Sequence, residues 1–306
     1  MNCLLTPNTL KVKEGYVMNN KKEIISTELY NNDKIKQIEE YWTLERLQNA
    51  TPILPPSTTP EKQTNIDENE KQILPIPPNK PNKEGKEMEL LGTPFPVDIT
   101  KYPYECFGKI YFTNTEGVDR YGTAEFAGNG NILLTAAHCL RDSNSGKFFK
   151  NFLFIRAYKN GTGQRFAIDY VGTFNGWIGG NRAYDYGFCH TVSSYPYWLG
   201  VQEPTSYQYL QAVGYPENFG SGEVLYAANG KKGRMNSGTL QMLGNPMRHG
   251  NSGGAWIGCT REGEVSDYAV GINSFHYDSE TDNEYSPLFI QGNINRLFQC
   301  VLNKNC

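Results

Sequence analysis

Three polar side chains stand in short motifs where together they could perform nucleophilic chemistry. His138 lies in TAAHC, Asp185 in AYDYGFCH and Ser252 in HGNSGGAW. A serine hydroxyl is a poor nucleophile at neutral pH, so it needs a base within hydrogen-bond reach, a group that orients the base, and donors for the developing oxyanion. A histidine, an aspartate and a serine supply these parts, and the chemistry would be acyl transfer through a covalent serine ester.

The neighbours of Ser252 and the choice of acid refine this hypothesis. Gly250 allows its own backbone N–H and that of Ser252 to point into one cavity as oxyanion donors. Asp169, in AIDYVG, is a rival to Asp185 as the orienting acid. Asp185 is favoured, because it follows His138 by 47 positions, close to the spacing of about 45 in one well-known His-Asp-Ser order of such triads.

The chain from Tyr102 onward reads as a β protein. Short β-prone runs such as GKIYFT, NFLFIRAY and YAVGINSF are separated by Gly, Asn and Asp. Many short strands at this spacing, without intervening helical patterns, predict a sandwich or barrels. The end of the chain is different, because apolar residues recur at helical spacing over 294–302 and Asn293 can cap them. This pattern predicts a C-terminal amphipathic helix.

The first hundred residues have another composition. Residues 51–100 are rich in proline and charge, and such a segment buries too little apolar surface to offset its ordering entropy. Before them, residues 32–49 carry apolar side chains near one face and predict a short helix. We therefore divide the chain into an N-terminal segment (1–50, a candidate pro-segment), a disordered linker (51–100) and a main domain (101–306).

Composition excludes several classes of protein. The net charge of −3 at pH 7 gives no electrostatic reason to expect nucleic acid as a partner. No apolar run is long enough to span a membrane, and the first residues lack the apolar core of a secretory signal peptide. The seven cysteines form no CxxC or CxxH pair, so a structural zinc site is not expected. The chemistry needs neither a cofactor nor a metal.

The motifs resemble those of a known family. TAAHC, YDYGFC and GNSGGAW together resemble the trypsin-like peptidase superfamily, and more narrowly the bacterial glutamyl-endopeptidase-like (V8-like) branch. The resemblance extends over residues 102–306 and more thinly over 41–52. It implies an all-β, chymotrypsin-like fold of two six-stranded Greek-key β-barrels with a C-terminal helix.

The resemblance also implies an activity, that of a serine endopeptidase. His138 would be general base and then acid, Asp185 would hold its tautomer, and Ser252 would form the acyl-enzyme. The N–H groups of Gly250 and Ser252 would bind the oxyanion. The resemblance further implies a peptide or protein substrate bound as an extended strand, a monomer, and secretion, with a cytoplasmic location as the alternative.

The stretch VGINSFH (270–276) resembles the strand that lines the primary specificity pocket of these enzymes. Ser274 and Phe275 would form the wall of this pocket and offer backbone pairing to an extended peptide. Asn273, His276 and Pro246 complete the candidate substrate contacts.

Two departures from the family pattern bear on regulation and specificity. Asn251 stands where the trypsin branch has an aspartate that receives the new amino terminus after activation cleavage, which argues against that switch and favours the V8-like branch. Asn273 stands where glutamate-cleaving relatives have a histidine. His276, His249 or Arg248 are candidates to replace that histidine.

Two rival interpretations remain open at this point. GNSGG also satisfies the GxSxG elbow of α/β-hydrolases, whose order Ser, Asp, His is met by Ser252, Asp267 and His276. The absence of alternating helices and strands weighs against that fold. The second rival is a barrel protein that has kept the fold as a non-catalytic binding module.

Overall fold

Two sheets of mainly antiparallel strands form the body of the protein. The computed structural model describes residues 23–29, 32–55, 74–81, 91–261, 264–289 and 293–306. In chain order, the strands are β1 (Ile24–Glu28), β2 (Thr51–Pro52), β3 (Phe95–Pro96), β4 (Phe107–Thr113), β5 (Asp119–Phe126), β6 (Ile132–Thr135), β7 (Lys150–Lys159), β8 (Thr162–Phe174), β9 (Gly187–Thr191), β10 (Gly200–Val201), β11 (Tyr209–Gly214), β12 (Tyr226–Asn236), β13 (Thr239–Leu243), β14 (Ala255–Arg261), β15 (Glu264–Ile272) and β16 (Asn283–Pro287). The helices are α1 (Asn32–Tyr41), α2 (Leu44–Asn49) and α3 (Ile294–Leu302).

The first sheet closes on itself. Its strands pair in the order β8-β7-β4-β5-β6-β9, and β9 returns to β8, so six strands make a barrel without free edges between them. Side chains alternate between the two faces of a strand, and the buried side chains of this sheet include several aromatic rings. The rings of Phe126, Phe154 and Phe166 from three strands meet at centroid distances of 5.1 to 6.2 Å.

The second sheet curls rather than closing through a full ladder. Its six main strands pair in the order β15-β14-β11-β12-β13-β16. Just beyond β15, Phe275 forms a bridge to Tyr285 in β16, which brings the two ends of the sheet together. Buried side chains such as Leu210, Met242 and Trp256 fill its interior. The two sheets and α3 confirm the predicted all-β, chymotrypsin-like fold with a C-terminal helix.

Four further strands lengthen these sheets. β1 and β2 join the first sheet and β3 and β10 join the second. Since β1, β2 and β3 precede residue 101, the N-terminal hundred residues contribute structure to both sheets.

The N-terminal segment differs from its prediction in one detail. The sequence predicted one helix over 32–49, whereas α1 and α2 are separated at Trp42 and Thr43. Thr43 has extended backbone angles, and its hydroxyl accepts a hydrogen bond from Arg46 N at 3.3 Å. A threonine in this position caps a new helix instead of continuing the old one.

Trp42 attaches this segment to the first barrel. Its side chain is completely buried, and Nε1 donates to the carbonyl oxygen of Asn151 at 2.6 Å. The ring lies against Tyr111 of β4 at a centroid distance of 5.4 Å. Arg165 of β8 in turn donates to the Trp42 carbonyl oxygen at 3.1 Å.

We expect Trp42→Ala to lower the free energy of unfolding by about 3–5 kcal/mol, because it removes a large buried ring and leaves a cavity. Urea denaturation followed by circular dichroism measures the change. Leu44→Ala is the matched control, since Leu44 is 55% exposed, and should cost about 0.5 kcal/mol or less. Equal effects of the two substitutions would mean that the segment does not pack on the barrel in solution.

The predicted linker also contacts the sheets wherever it is described. β2 pairs with β5, Ile76 with Val201 of β10, and β3 with β12. Disorder is therefore the wrong prediction for residues 51–55, 74–81 and 91–100. These short stretches need no core of their own, because their backbone groups pair with strands that are already formed. Residues 56–73 and 82–90 lie outside the described residues, and the division of the chain at residue 100 stays a prediction.

The described cysteines fall into two groups. Cys300 and Cys306 form a disulfide at the end of α3. Cys106, Cys139, Cys189 and Cys259 are buried and lie outside this disulfide. In the part of the chain that the structure describes, no helix is long and apolar enough to cross a membrane.

Candidate active site

Strand pairing brings His138 and Asp185 together. β6 pairs with β9 so that Thr135 lies opposite Gly187. His138 sits in the helical turn that follows β6, and Asp185 ends the turn that precedes β9. The register of these two strands therefore places the imidazole and the carboxylate at one end of the barrel.

Asp185 binds His138 at two points. Asp185 Oδ1 accepts from the backbone N–H of His138 at 2.8 Å, and Oδ2 lies 2.8 Å from His138 Nδ1. The hydroxyl of Ser274 donates to Oδ2 at 2.5 Å. Because the completely buried Asp185 carboxylate can only accept here, Nδ1 carries the proton and Nε2 is the nitrogen with a lone pair. Nε2 is buried and has no hydrogen-bond partner among the described residues.

This environment changes the basicity of the imidazole. Burial would lower the pKa of His138, but the charge and hydrogen bond of Asp185 outweigh burial and raise it. A neighbouring carboxylate has this effect because it stabilises the imidazolium form. His138 is therefore held in one tautomer and made a stronger base.

Ser252 lies on a turn between the two sheets. Its carbonyl oxygen accepts from the backbone N–H of Thr123 in β5 at 2.8 Å, and Cys139 Sγ, next to His138, lies 3.7 Å from the same oxygen. Gly253 has φ of +87°, and a Cβ there would lie 2.2 Å from Thr135 Oγ1. Only glycine fits this position, because the turn packs directly on the end of β6 that leads into His138.

The residues before Ser252 form the oxyanion turn, defined as residues 249–252. Gly250 has φ of +88°, and Thr123 Oγ1 donates to its carbonyl oxygen at 2.8 Å. The carbonyl oxygen of His249 accepts from the backbone N–H of Glu217 at 2.7 Å. No described residue accepts from the N–H groups of Gly250 and Ser252. Two backbone N–H donors of this kind can stabilise an oxyanion.

The predicted pocket residues do not all face a substrate. Asn273 is completely buried, and its amide bonds Asn245, Trp256 and the carbonyl oxygens of Val213 and Gly254 at 2.8 to 3.0 Å. Both amide atoms of Asn273 are therefore satisfied within the protein, and its side chain has no hydrogen-bonding capacity left for a substrate.

The other predicted contacts are more varied. Ser274 bonds Asp185, as described above. The Phe275 ring is buried and stacks on Tyr285 at 5.0 Å, so it packs inside the second sheet. Pro246 lies near the oxyanion turn, where its carbonyl oxygen accepts from Asn218 Nδ2 at 2.9 Å. His276 keeps a partly exposed ring, whose centroid is 5.7 Å from that of His249.

Beside these residues is a contact between Arg248 and Glu284 that the sequence did not predict. Arg248 Nη1 donates to Glu284 Oε2 at 3.2 Å, and His276 Nδ1 lies 3.8 Å from the same oxygen. Burial raises the pKa of Glu284 to about 8, against the opposing effect of Arg248. Burial and the nearby Arg248 charge lower the pKa of His276 to about 4, so that the ring is neutral at pH 7. Glu284 lies 36 positions from Arg248, and nothing in its local sequence signals the contact.

Asp169 and Asp267, the alternative candidates for the catalytic acid, bind other residues. Asp169 Oδ1 bonds His190 Nδ1 at 2.8 Å, and its other oxygen bonds Lys304 at 2.6 Å. Asp267 forms an ion pair with Lys80, and no hydrogen bond or ion pair between described residues joins it to Ser252 or His276. The α/β-hydrolase alternative is wrong, since the fold consists of two mainly antiparallel β-sheets. Within the described ranges, no cluster of three or more His, Cys, Asp or Glu side chains could hold a metal ion.

Comparisons with known proteins agree with the fold. No family model and no curated protein matches the chain. Among solved structures, the protease Anisep from Arthrobacter nicotinovorans is 25% identical with a TM-score of 0.55, over 63% of this chain and 95% of its own. The thermostable serine protease AL20 from an extremophilic microorganism is also 25% identical, with a TM-score of 0.56, over 66% and 98% of the two chains.

A Glu endopeptidase shares the same fold at lower identity. It is 16% identical with a TM-score of 0.57, over 68% of this chain and 96% of its own. At this identity, the match concerns the architecture alone. The chain therefore has the chymotrypsin-like fold of the trypsin-like serine proteases, and these structural neighbours support a serine-type peptidase function.

Proposed function

We propose that this protein is a serine endopeptidase in which Ser252, His138 and Asp185 act as a triad. The observation that carries the proposal is the double hydrogen bond of Asp185 to His138. It fixes the Nδ1–H tautomer and leaves Nε2 as the basic nitrogen. The next residue, Cys139, has its Sγ 3.7 Å from the carbonyl oxygen of Ser252. A base held in this way can take the proton of a serine hydroxyl.

The proposed reaction assigns one step to each of these groups. Ser252 Oγ attacks the scissile carbonyl carbon while His138 Nε2 takes its proton, and the Gly250 and Ser252 N–H groups stabilise the negative carbonyl oxygen. His138 then donates the proton to the leaving amine, which leaves an acyl-enzyme. Water then attacks the ester carbonyl while the same imidazole takes its proton, and the imidazolium returns that proton to Ser252 Oγ as the acid is released.

An extended peptide could bind beside Ser274 and His276. One edge of this stretch is occupied, because the N–H groups of Ser274 and Phe275 donate to Tyr285. No described residue accepts from the N–H group of His276. This group is therefore available to pair with a substrate backbone, as in strand addition to a sheet edge.

A fluorophosphonate probe and a peptide library test the proposal. We expect the probe to label native protein at Ser252, located by mass spectrometry of the digested adduct, and not the denatured protein. We also expect cleavage within library peptides rather than only at their ends. A native protein that is neither labelled nor active would instead support the non-catalytic binding module.

The same library reports the preferred residue on the acyl side of the cleaved bond. Cleavage after acidic residues would assign recognition to His276, His249 and the Arg248 charge. Cleavage after apolar residues would exclude that assignment.

A further inference from the structure

We propose that Lys109 and Glu223 are positioning residues that hold the oxyanion turn in its donor geometry, through the loop of residues 216–223, which we call the anchor loop. The inference rests on the proposed function and concerns how its oxyanion donors are oriented. Neither residue belongs to the triad.

Lys109 is a buried cation in an aromatic cage. Its residue is 1% exposed, and Nζ lies 3.7 Å from the ring centroid of Tyr121, 4.4 Å from that of Tyr158 and 5.2 Å from that of Tyr111. Glu223 Oε1 is its counter-ion at 3.4 Å. Rings attract a cation through their negative faces, so three strands of the first barrel hold this charge in place.

The cage binds the last residue of the anchor loop, Glu223. Glu223 Oε2 also accepts from the hydroxyl of Tyr158 at 2.7 Å, and its carbonyl oxygen accepts from the N–H of Asn160. The Tyr121 ring contacts the Lys109 cation and also the backbone at Gly222 and Gly250. A Cβ on Gly222 would be 2.3 Å from the Tyr121 hydroxyl, and one on Gly250 would be 2.7 Å from Tyr121 Cε2. The same ring thus touches Lys109, the anchor loop and the oxyanion turn.

The anchor loop in turn sets the direction of an oxyanion donor. The N–H group of Glu217 donates to the carbonyl oxygen of His249. A trans peptide is planar, with its C=O and N–H pointing in opposite directions. Fixing the carbonyl of His249 toward the anchor loop therefore points the N–H of Gly250 away from it. Rotation of this one peptide would remove a donor from the oxyanion site.

Burying the Lys109 cation costs free energy of folding. This cost favours a functional role of the Lys109–Glu223 pair over a purely stabilising one. Removing a cation from water is unfavourable, and apolar replacements of buried ion pairs are often neutral or stabilising. Burial lowers the pKa of Lys109 to about 8, against the opposing effect of Glu223. The charged form therefore predominates below that pH, and rising pH removes both the ion pair and the attraction to Tyr111, Tyr121 and Tyr158.

The test compares Lys109→Met, Glu223→Gln and the double variant with the wild-type enzyme, each normalised to active sites titrated with the fluorophosphonate. We expect each single variant to lower kcat about tenfold or more, a part of the loss of about a hundredfold that follows complete removal of an oxyanion donor. KM should change less than twofold. The double variant should lose little more than either single variant, because both act through one pair.

Two ligands separate positioning from general damage. A peptide aldehyde based on a cleaved library sequence forms a tetrahedral adduct whose oxygen occupies the oxyanion site, while the matching peptide alcohol does not. Lys109→Met should weaken the aldehyde about tenfold and leave the alcohol within twofold. The control Arg46→Met removes a similar cation, which lies 4.1 Å from the Tyr41 ring and pairs with Asp119, and should change neither ligand.

The pH profile gives a third measurement. In the wild type, kcat should fall as pH rises through about 8, and this limb should be absent in Lys109→Met. If Lys109→Met does not fold, Glu223→Gln is compared with the wild type instead. The Glu223 side chain is 36% exposed, so its substitution should disturb folding less. Equal weakening of aldehyde and alcohol, or unchanged kcat in folded variants, would overturn this proposal alone. A wild type without activity or labelling would overturn the proposed function as well.

Discussion

Replacing Ser252 with alanine is expected to lower kcat by about a million-fold, with little change in substrate affinity. The hydroxyl is the only proposed nucleophile, so its loss leaves direct attack by water, assisted by the oxyanion donors alone. The fold should persist, because the Ser252 contacts that hold the turn are made by its carbonyl oxygen with Thr123 and Cys139. Release of a fluorogenic product from a cleaved library peptide measures the rate.

Ser206→Ala is the matched control for this experiment. Ser206 is an exposed serine in a turn before β11, and its substitution should preserve both the rate and the fluorophosphonate labelling. A Ser252→Ala protein that keeps more than about one hundredth of the wild-type rate would contradict the triad, given the loss expected on removing a nucleophile.

Asp185→Asn should lower kcat by about ten-thousand-fold and move the acid limb of the pH profile to lower pH. An amide can donate to Nδ1 and thereby stabilise the wrong tautomer of His138. The carboxylate raises the pKa of His138, so its removal lowers that pKa. The base then remains unprotonated at lower pH, and the limb moves downward while the plateau rate falls.

Measurement of kcat/KM from pH 4 to 9 checks both parts of this prediction. The control is Asp169→Asn, which alters a second aspartate-histidine pair with the same 2.8 Å distance to His190. It should leave rate and acid limb unchanged. A large effect of Asp169→Asn, with none of Asp185→Asn, would transfer the role of the acid to Asp169.

The candidate triad could be predicted because its requirements are local. A histidine after small residues, an aspartate before a strand and a serine among glycines each leave a short motif, and their order narrows the choice. The structure adds what the motifs lack, namely that the β6–β9 register joins His138 to Asp185. The contact of Ser274 with Asp185 spans 89 positions and leaves no pattern in the sequence.

The predictions that the structure corrects depend on contacts between residues that are far apart in the sequence. Asn273 was expected to contact substrate, but its partners Asn245 and Trp256 come from other strands and loops and satisfy it internally. The pair of Lys109 and Glu223 is separated by 114 positions and was not predicted. Residues 51–100 were predicted to be disordered because of their composition. Composition shows that a segment cannot fold alone, but it does not show whether the segment pairs with strands of another part of the chain.

The position of β1 determines which backbone edge of β8 is covered. β7 pairs with β8 only as far as Ala167, and β1 takes over from Tyr170 to Phe174. A chain that lost β1 would present this stretch of β8 as an open strand edge, which is a template for pairing with another molecule. β1 therefore covers this edge, and we expect shortened forms that begin after β1 to form strand-paired oligomers as their concentration rises.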